Sequence, residues 1–158
     1  MSSAGSASTL LARLICQQRP VQTLTSARNS KGNTQSGRFS KGVFQVKQSR
    51  KTSLKGRTDL KLTGSSFSSC RSRGSTAQVT ASRRRLSRKT IRKLSGSAKG
   101  NYRTSGRKSA ATVRGTVWTV TDRCDGTLTK VKRGKVSVRD FRRKKTITVR
   151  AGKSYLAR

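Results

Sequence analysis

Residues that could do chemistry are scarce in this chain. It has three cysteines, Cys16, Cys70 and Cys124, four acidic residues and no histidine. The absence of histidine removes the usual general base and the commonest metal ligand, and no two cysteines have the CxxC spacing of a zinc site. Cys124 would also lack a base to activate it as a nucleophile. We therefore expect neither an enzyme nor a bound cofactor or metal.

Two of the aspartates, Asp122 and Asp125, are close in sequence but flank a predicted hairpin turn. Aspartate is common at turns because its side chain hydrogen-bonds the local backbone, so we expect both to be structural. The single tryptophan, Trp118, could stack on a ligand. We expect a core position instead, because the chain is short of aromatic residues to fill its interior.

The cysteines also allow a disulfide. Cys70 and Cys124 lie inside the patterned part of the sequence, whereas Cys16 lies outside it. In an oxidising compartment Cys70 and Cys124 are the natural pair, and closing that loop would stabilise the fold by roughly 4 kcal/mol. Two buried free thiols are the alternative that the composition leaves open.

The charge of the chain is extreme. Lysine and arginine total 39 against four acidic residues, which gives a formal charge of +35, and only 30% of the residues are hydrophobic. Such a surface binds polyanions without needing specificity, and nucleic acid, anionic wall polymers and acidic lipid surfaces are the candidate partners. No run of about 18 apolar residues is present, so no transmembrane helix is expected.

The elements that must position these residues are mostly short strands. Residues 59–63 alternate polar and apolar side chains, with Leu60 and Leu62 facing inward. In the last third of the chain turns recur every 8–12 residues or so, as in all-β folds. Residues 21–158 are thus predicted to form one mainly β domain, an antiparallel meander of β-sandwich-like form. Residues 1–20 are interpreted as a disordered or wrongly assigned start.

Turn residues separate the predicted strands. Asp125-Gly126 is predicted to be the two-residue turn of a hairpin, of type I′, in which both central residues need positive φ. The full set of predicted turn residues is Gly115, Asp125, Gly126, Gly134 and Gly152.

One basic helix is predicted within the β domain, at residues 81–94. Leu86, Ile91 and Leu94 form its narrow apolar stripe at helical spacing, and its other faces are strongly basic. Phosphate contacts from such a helix would give salt-sensitive binding to nucleic acid. An intracellular nucleic-acid-binding protein that uses this helix is therefore the alternative function. The candidate polyanion-binding residues are Arg83, Arg84, Arg85, Arg88, Lys89, Arg92 and Lys93.

Four motifs in the last third of the chain resemble the FecR-like domain of bacterial signalling and envelope proteins. The motifs are VRGTVWTV, CDGT, VKRGKVSVRD and TVRAGKSY. Residues 24–50 and 62–70 are similar to a branch of this family found in secreted or surface-exposed actinobacterial proteins. The resemblance covers residues 24–158. The positions that match the family pattern are residues 113–116, 125–126, 134–138 and 149–152.

The resemblance implies a function as well as a fold. It implies a FecR-type module, secreted or associated with the cell envelope, that acts in binding or scaffolding. Its basic surface would contact anionic envelope polymers, and Cys70–Cys124 would staple the fold. Membrane-anchored FecR sensors carry a transmembrane span that this sequence does not show, so signalling to a sigma factor is not implied.

Overall fold

The computed structural model describes residues 22–26, 32, 34–48, 56–70 and 87–158. Within these ranges the chain forms ten β-strands and a short 3-10 turn at Ser68–Cys70, which confirms the mainly β prediction. The predicted disordered start, residues 1–20, lies outside the described residues. The strands are β1 Gln22–Ser26, β2 Gln35–Ser40, β3 Val43–Gln48, β4 Thr58–Thr63, β5 Thr90–Ser105, β6 Ser109–Arg123, β7 Gly126–Arg133, β8 Lys135–Asp140, β9 Thr146–Arg150 and β10 Ser154–Ala157.

Alternation of buried and exposed side chains explains the short strands. In β4, Leu60 and Leu62 are buried while Lys61 between them is exposed, as the sequence predicts. β8 has the same pattern, with Val136 and Val138 buried and their neighbours exposed. Successive residues of a strand point to opposite faces, so each of these strands packs one face on the core and leaves the other in water.

Two long antiparallel strands, β5 and β6, form the centre of a sheet whose main order is β1-β2-β5-β6-β7-β10. The outer edge of β6 pairs with β8 along its first half and with β7 along its second half. β9 and β10 then pair with β8 and β7. On the other edge, β5 pairs antiparallel with β2 and parallel with β4. The parallel pair departs from the predicted antiparallel meander.

Four glycines mark the points where the central strands change direction. Gly100 and Gly115 lie at the register shift between β5 and β6, so Gly115 is inside a strand rather than in the predicted turn. Gly134 is the single residue between β7 and β8, and Gly152 lies between β9 and β10. Their φ angles of +131°, +66°, +84° and +76° are readily adopted by glycine, which has no Cβ. We call these four residues the glycine line.

The glycine line divides the sheet into two sections that share one hydrophobic core. The first section contains β1, β2, β7, β10 and the adjoining halves of β5 and β6. The second contains β3, β4, β8, β9 and the remaining halves. Phe39 of the first section contacts the rings of Phe44 and Tyr102 of the second, at centroid distances of 5.7 and 5.5 Å. These aromatic contacts stabilise the packing of one section on the other.

Trp118 is a core residue, as predicted, and none of its surface is exposed. Its ring centroid lies 6.1 Å from that of Phe39 in an edge-to-face arrangement. A Cβ added at Gly96 would come within 2.9 Å of the Trp118 ring, so the indole packs directly on the backbone of β5. A side chain buried in this way offers no surface on which a ligand could stack.

The predicted helix at residues 81–94 is wrong over its described part. Thr90–Ser105 is strand β5, residues 87–89 have no regular structure, and residues 81–86 lie outside the described ranges. Leu94, Gly96 and Ala98 are buried, at every second position. This is the two-residue period of a strand, and the segment pairs with β6. Like charges four residues apart also oppose a helix in this segment, whereas pairing with β6 satisfies its backbone.

The hairpin between β6 and β7 turns one residue earlier than predicted. Arg123 pairs with Gly126, so the two turn residues are Cys124 and Asp125. Neither has positive φ, which excludes the predicted type I′ turn. The Asp125 carboxylate holds the turn by accepting two hydrogen bonds from the Arg123 guanidinium, at 2.8 and 2.5 Å.

Replacing Gly126 with alanine is expected to lower the free energy of unfolding by about 3 kcal/mol. Its φ is +149°, and an added Cβ would collide with the carbonyl oxygen of Ala157, so β7 and β10 would have to separate. The matched control is Gly152→Ala, whose φ is +76° but whose Cβ would have open space; backbone strain alone should cost about 1 kcal/mol. Urea unfolding measures both variants, and equal losses would contradict the close approach at Gly126.

Candidate polyanion-binding surface

All four acidic residues of the chain have partners inside the fold. Asp59 and Asp125 each pair with the arginine two residues earlier, at 3.1 and 2.5 Å. Asp122 and Asp140 are buried, with 0% and 1% of their surface exposed. Because the sequence has 39 basic residues and only four acidic ones, the exposed lysines and arginines have no acidic side chains left to neutralise them.

Asp122 ties the end of β6 to the loop between β5 and β6. Its Oδ1 accepts hydrogen bonds from the Arg107 N–H at 2.9 Å and from the Thr127 hydroxyl at 2.5 Å. The Thr127 hydroxyl oxygen in turn accepts a hydrogen bond from the Lys108 N–H at 2.9 Å. The end of β6 belongs to the first section and the loop adjoins the second, so this buried carboxylate holds the two sections together. That is a structural role, as the sequence predicts.

Asp140 joins the sections at a second point. Its Oδ1 accepts hydrogen bonds from the N–H groups of Arg142 and Arg143, both at 3.0 Å, and its Oδ2 accepts one from the Tyr155 hydroxyl at 2.8 Å. Burial by itself raises the pKa of Asp140, but these donors outweigh it and the pKa lies below the ordinary value. Burial and the bond to Asp140 together raise the pKa of Tyr155.

Replacing Tyr155 with phenylalanine is expected to lower the free energy of unfolding by about 2 kcal/mol near neutral pH, because a hydrogen bond to a charged acceptor is lost. A carboxyl with a depressed folded pKa stabilises the fold above its unfolded pKa, and that contribution disappears as the pH falls through the folded pKa. The difference between wild type and Tyr155→Phe should therefore shrink below pH 3.8, the ordinary value for Asp140. The raised pKa of Tyr155 means that the difference should also shrink above pH 10.0. Denaturant unfolding across this range measures it, and a pH-independent difference would contradict the bond.

The Cys70–Cys124 disulfide predicted from the sequence is present. It joins the loop after β4 to the turn between β6 and β7, and the Cys124 N–H donates a hydrogen bond to the Lys89 carbonyl at 3.1 Å. Both thiols are therefore used in a cross-link, so Cys124 is not a free nucleophile. Cys16 lies outside the described residues.

Phe67, in the loop that the disulfide anchors, lies against two arginines. The guanidinium carbons of Arg92 and Arg107 are 4.8 and 4.6 Å from its ring centroid, within the range of cation–π contacts. Arg92 also donates hydrogen bonds to the carbonyl oxygens of Ser65 and Leu62, at 3.0 and 3.3 Å. The Arg92 guanidinium therefore holds this loop in place, and its Nε and Nη1 donors are directed at the protein rather than at an external phosphate.

The residues predicted to bind polyanions from a helix are placed differently. Arg88 and Lys89 are exposed in the segment before β5, and Lys93 is exposed on β5 itself. Arg92 is half-buried and committed to the loop. The remaining predicted residues, which lie outside the described part of the chain, are Arg83, Arg84 and Arg85.

A different set of exposed cations lies beside the glycine line. Each of these cations either is next to one of the four glycines in sequence or pairs across strands with a cation that is next to one. Two of these glycines lie within β5 and β6, and the other two lie in the connections between β7 and β8 and between β9 and β10, so the cations flank one line across the sheet. We call this row of cations the basic ridge, and its members are Lys99, Arg114, Arg133, Lys135, Arg150 and Lys153.

Strand register brings three of the ridge residues side by side. Lys135 pairs with Arg150 across β8 and β9. Arg114 lies beside Lys135, because their buried neighbours Val113 and Val136 pair across β6 and β8. Neighbouring strands are about 4.8 Å apart, so a row that crosses four of them spans roughly 15 Å. The arrangement can contact several anionic groups of one extended polymer at once.

The backbone of the glycine line is open at two of its four glycines. A Cβ added at Gly115 or Gly152 would meet no atom within 4 Å, whereas one at Gly100 or Gly134 would collide with Gln35 or Thr116. A polymer can therefore approach the backbone at Gly115 and Gly152. The sequence predicts turn residues at Gly115, Gly134 and Gly152 and does not predict the ridge. The signal that could have found it is the recurrence of basic residues beside glycines, as in Lys99-Gly100 and Arg114-Gly115.

Comparisons of the chain with protein-family models, with curated proteins and with solved structures returned no match. The resemblance to FecR-like domains therefore rests on the sequence motifs alone. In the part of the chain that the structure describes, no helix has the length and apolar character needed to cross a bilayer. The same residues include no group of histidine, cysteine and acidic side chains that could hold a metal ion.

Proposed function

We propose that this chain is a non-enzymatic, mainly β module that binds anionic polymers through the basic ridge. The observation that carries the proposal is the unequal use of the two charge types. Every acidic residue is bound within the fold, whereas the ridge cations are exposed and three of them are adjacent across paired strands. An aligned row without counter-charges attracts a polyanion over long distances and contacts several of its groups once bound.

We further propose an exported or cell-envelope location and a binding or scaffolding role on anionic envelope polymers, in keeping with the FecR-like resemblance. The Cys70–Cys124 disulfide supports this location, because disulfides persist in oxidising compartments and are rare in the cytosol. The disulfide also fixes the loop at Phe67. The fold is therefore complete only in a compartment that keeps these two cysteines oxidised.

The alternative, an intracellular protein that binds nucleic acid through a basic helix, has less support. The described part of the predicted helix is strand β5 or the irregular segment before it. Arg92, one of its predicted phosphate contacts, is bound to carbonyl oxygens of the protein. Charge-driven, non-specific binding to nucleic acid is expected in vitro from any chain this basic, so it does not discriminate between the two functions.

The test compares two variants that lose the same charge. The ridge variant carries Lys99→Gln, Arg114→Gln, Lys135→Gln and Arg150→Gln. The control variant carries Lys47→Gln, Lys61→Gln, Arg88→Gln and Lys93→Gln, all at exposed positions away from the ridge. Affinity for long-chain inorganic polyphosphate should fall about a hundredfold in the ridge variant, since four exposed charge contacts of about 0.7 kcal/mol each are lost. A fall in the control variant as large as that in the ridge variant would show diffuse attraction and contradict the proposal.

A further inference from the structure

Phe141 is an exposed aromatic residue that the basic ridge does not explain. Among the described residues only two large hydrophobic side chains are exposed, Val46 at 36% and Phe141 at 43%. Phe141 begins the turn between β8 and β9, and the next four residues are all basic and exposed: Arg142, Arg143, Lys144 and Lys145. We call residues 140–145 the Phe141 turn.

Backbone hydrogen bonds hold the Phe141 turn in one shape. The Asp140 N–H donates to the Lys145 carbonyl at 2.8 Å, and the Phe141 N–H donates to the Lys108 carbonyl at 3.0 Å. The N–H groups of Arg142 and Arg143 donate to the buried Asp140 carboxylate. The aromatic ring is thus presented to solvent by a backbone that is bonded on both sides. A surface held in this way loses little conformational freedom when it binds a partner.

We propose that the Phe141 turn docks on an anionic lipid bilayer. The Phe141 ring would enter the boundary between headgroups and acyl chains, while Arg142, Lys144 and Lys145 contact lipid phosphates. The Arg143 side chain is instead bonded to Tyr155. Only a partner that is both apolar and anionic matches this combination, because an aromatic ring gains free energy when it leaves water for an apolar phase and cations gain it near an anionic headgroup surface. Peripheral membrane proteins use the same pairing of basic and bulky apolar residues.

Charge and shape favour lipid over a single-stranded nucleic acid. A nucleic-acid strand is bound by a groove in which successive bases stack on several aromatic side chains. The Phe141 turn offers one ring at the tip of a hairpin, and its following residues are all basic. A single partly exposed ring beside cations suits a surface that it can enter better than a strand whose successive bases need several rings.

The Phe141 turn is separate from the basic ridge. Asp140 and the ridge residue Lys135 are at opposite ends of β8, a separation of about 17 Å along an extended strand. The inference therefore goes beyond the proposed function and can fail independently of it. The ridge variant retains every residue of the Phe141 turn, so it should still bind vesicles.

The experiment measures binding to vesicles of phosphatidylcholine alone and to vesicles that also contain phosphatidylglycerol. Wild type should bind only the anionic vesicles, and Phe141→Ser should weaken that binding about tenfold. Val46→Ser removes the other exposed hydrophobic side chain and should leave binding within about twofold of wild type. Equal binding by Phe141→Ser and wild type would overturn the proposal, because charge alone would then explain the contact.

A second pair of variants tests how much the basic side chains of the turn contribute to vesicle binding. Arg142→Gln/Lys144→Gln/Lys145→Gln keeps every backbone donor of the turn and the contact of Arg143 with Tyr155. It should weaken vesicle binding about a hundredfold, at roughly fivefold for each charge. Lys47→Gln/Lys61→Gln/Lys93→Gln removes the same amount of charge elsewhere on the surface. It should weaken vesicle binding by less than about tenfold. Equal losses in the two triple variants would overturn the proposal, since the turn would then have no special place on the surface.

A direct measurement locates the ring. In Phe141→Trp, tryptophan fluorescence should shift to the blue on anionic vesicles and be quenched by lipids that carry a nitroxide near the headgroup. Trp118 is fully buried, and the wild-type protein provides its unchanged signal as the reference. A Phe141→Trp signal that does not respond to the labelled lipid, or that shifts equally with single-stranded nucleic acid, would overturn the proposal.

Discussion

Replacing both Cys70 and Cys124 with serine is expected to lower the free energy of unfolding by about 4 kcal/mol. The disulfide joins residues separated by 54 positions, and its loss frees a long loop in the unfolded chain. The folded state is affected as well, because the cross-link anchors the loop that places Phe67 against Arg92 and Arg107. A loss of this size is a large part of the stability of a small domain.

Guanidinium unfolding of the double variant and of wild type measures the effect. Wild type unfolded under reducing conditions should lose the same amount, whereas Cys16→Ser should show no change, because Cys16 is outside the cross-link. Mass spectrometry should find Cys70 and Cys124 protected from alkylation until reductant is added. If the double variant and wild type had the same unfolding midpoint, the disulfide would have no structural role.

The second large effect is on the salt dependence of polyanion binding. If all six ridge cations neutralise phosphates of a flexible single chain, log K should fall with log salt at a slope of about −4, from about −0.7 per phosphate. With four of the six replaced, the ridge variant should show a slope of about −1.4. Between roughly 50 and 200 mM salt, wild type should thus lose about 300-fold in affinity and the ridge variant about sevenfold.

Fluorescence anisotropy with labelled polyphosphate across this salt range gives both slopes. The control variant, which carries the same net charge as the ridge variant, should retain the wild-type slope. Slopes that follow net charge, and so are equal in the two variants, would show that the polymer contacts no defined set of residues. The slope discriminates better than the affinity at one salt concentration because it counts the neutralised phosphates.

Local patterns made the strands and the disulfide predictable. Leu60 and Leu62 alternate with polar neighbours in a short segment, and such a period of two is typical of a half-buried strand. Cys70 and Cys124 were paired because both lie within the patterned part of the sequence. Those predictions needed no knowledge of which strands are neighbours, and the structure confirms them.

The helix prediction was wrong because the same residues fit both the period of a helix and the period of a strand. Ile91 and Leu94 have helical spacing, yet the strand period is carried from Leu94 by Gly96 and Ala98, which are buried but small. Small residues give little hydrophobic signal, and Gly96 is covered by Trp118, which is distant in sequence. Pairing with β6 therefore overrides the local preference of the segment.

The basic ridge could not be predicted because it depends on long-range register. Arg114, Lys135 and Arg150 are separated in sequence, and only the pairing of β6 with β8 and of β8 with β9 brings them into one row. The hairpin at Asp125 shows how sensitive such rows are, since its turn is one residue away from the predicted position. A shift of one residue turns every side chain of a strand to the other face.

Protection of individual lysines from acetylation by bound polyphosphate tests the central proposal most directly. Mass spectrometry would compare the ridge residues Lys99, Lys135 and Lys153 with three exposed lysines elsewhere. With polyphosphate bound, the ridge lysines should react several-fold more slowly while the others react as before. The reference lysines are Lys47, Lys61 and Lys93. Equal protection of both groups, or protection of the reference lysines alone, would contradict the assignment of the ridge as the polyanion-binding site.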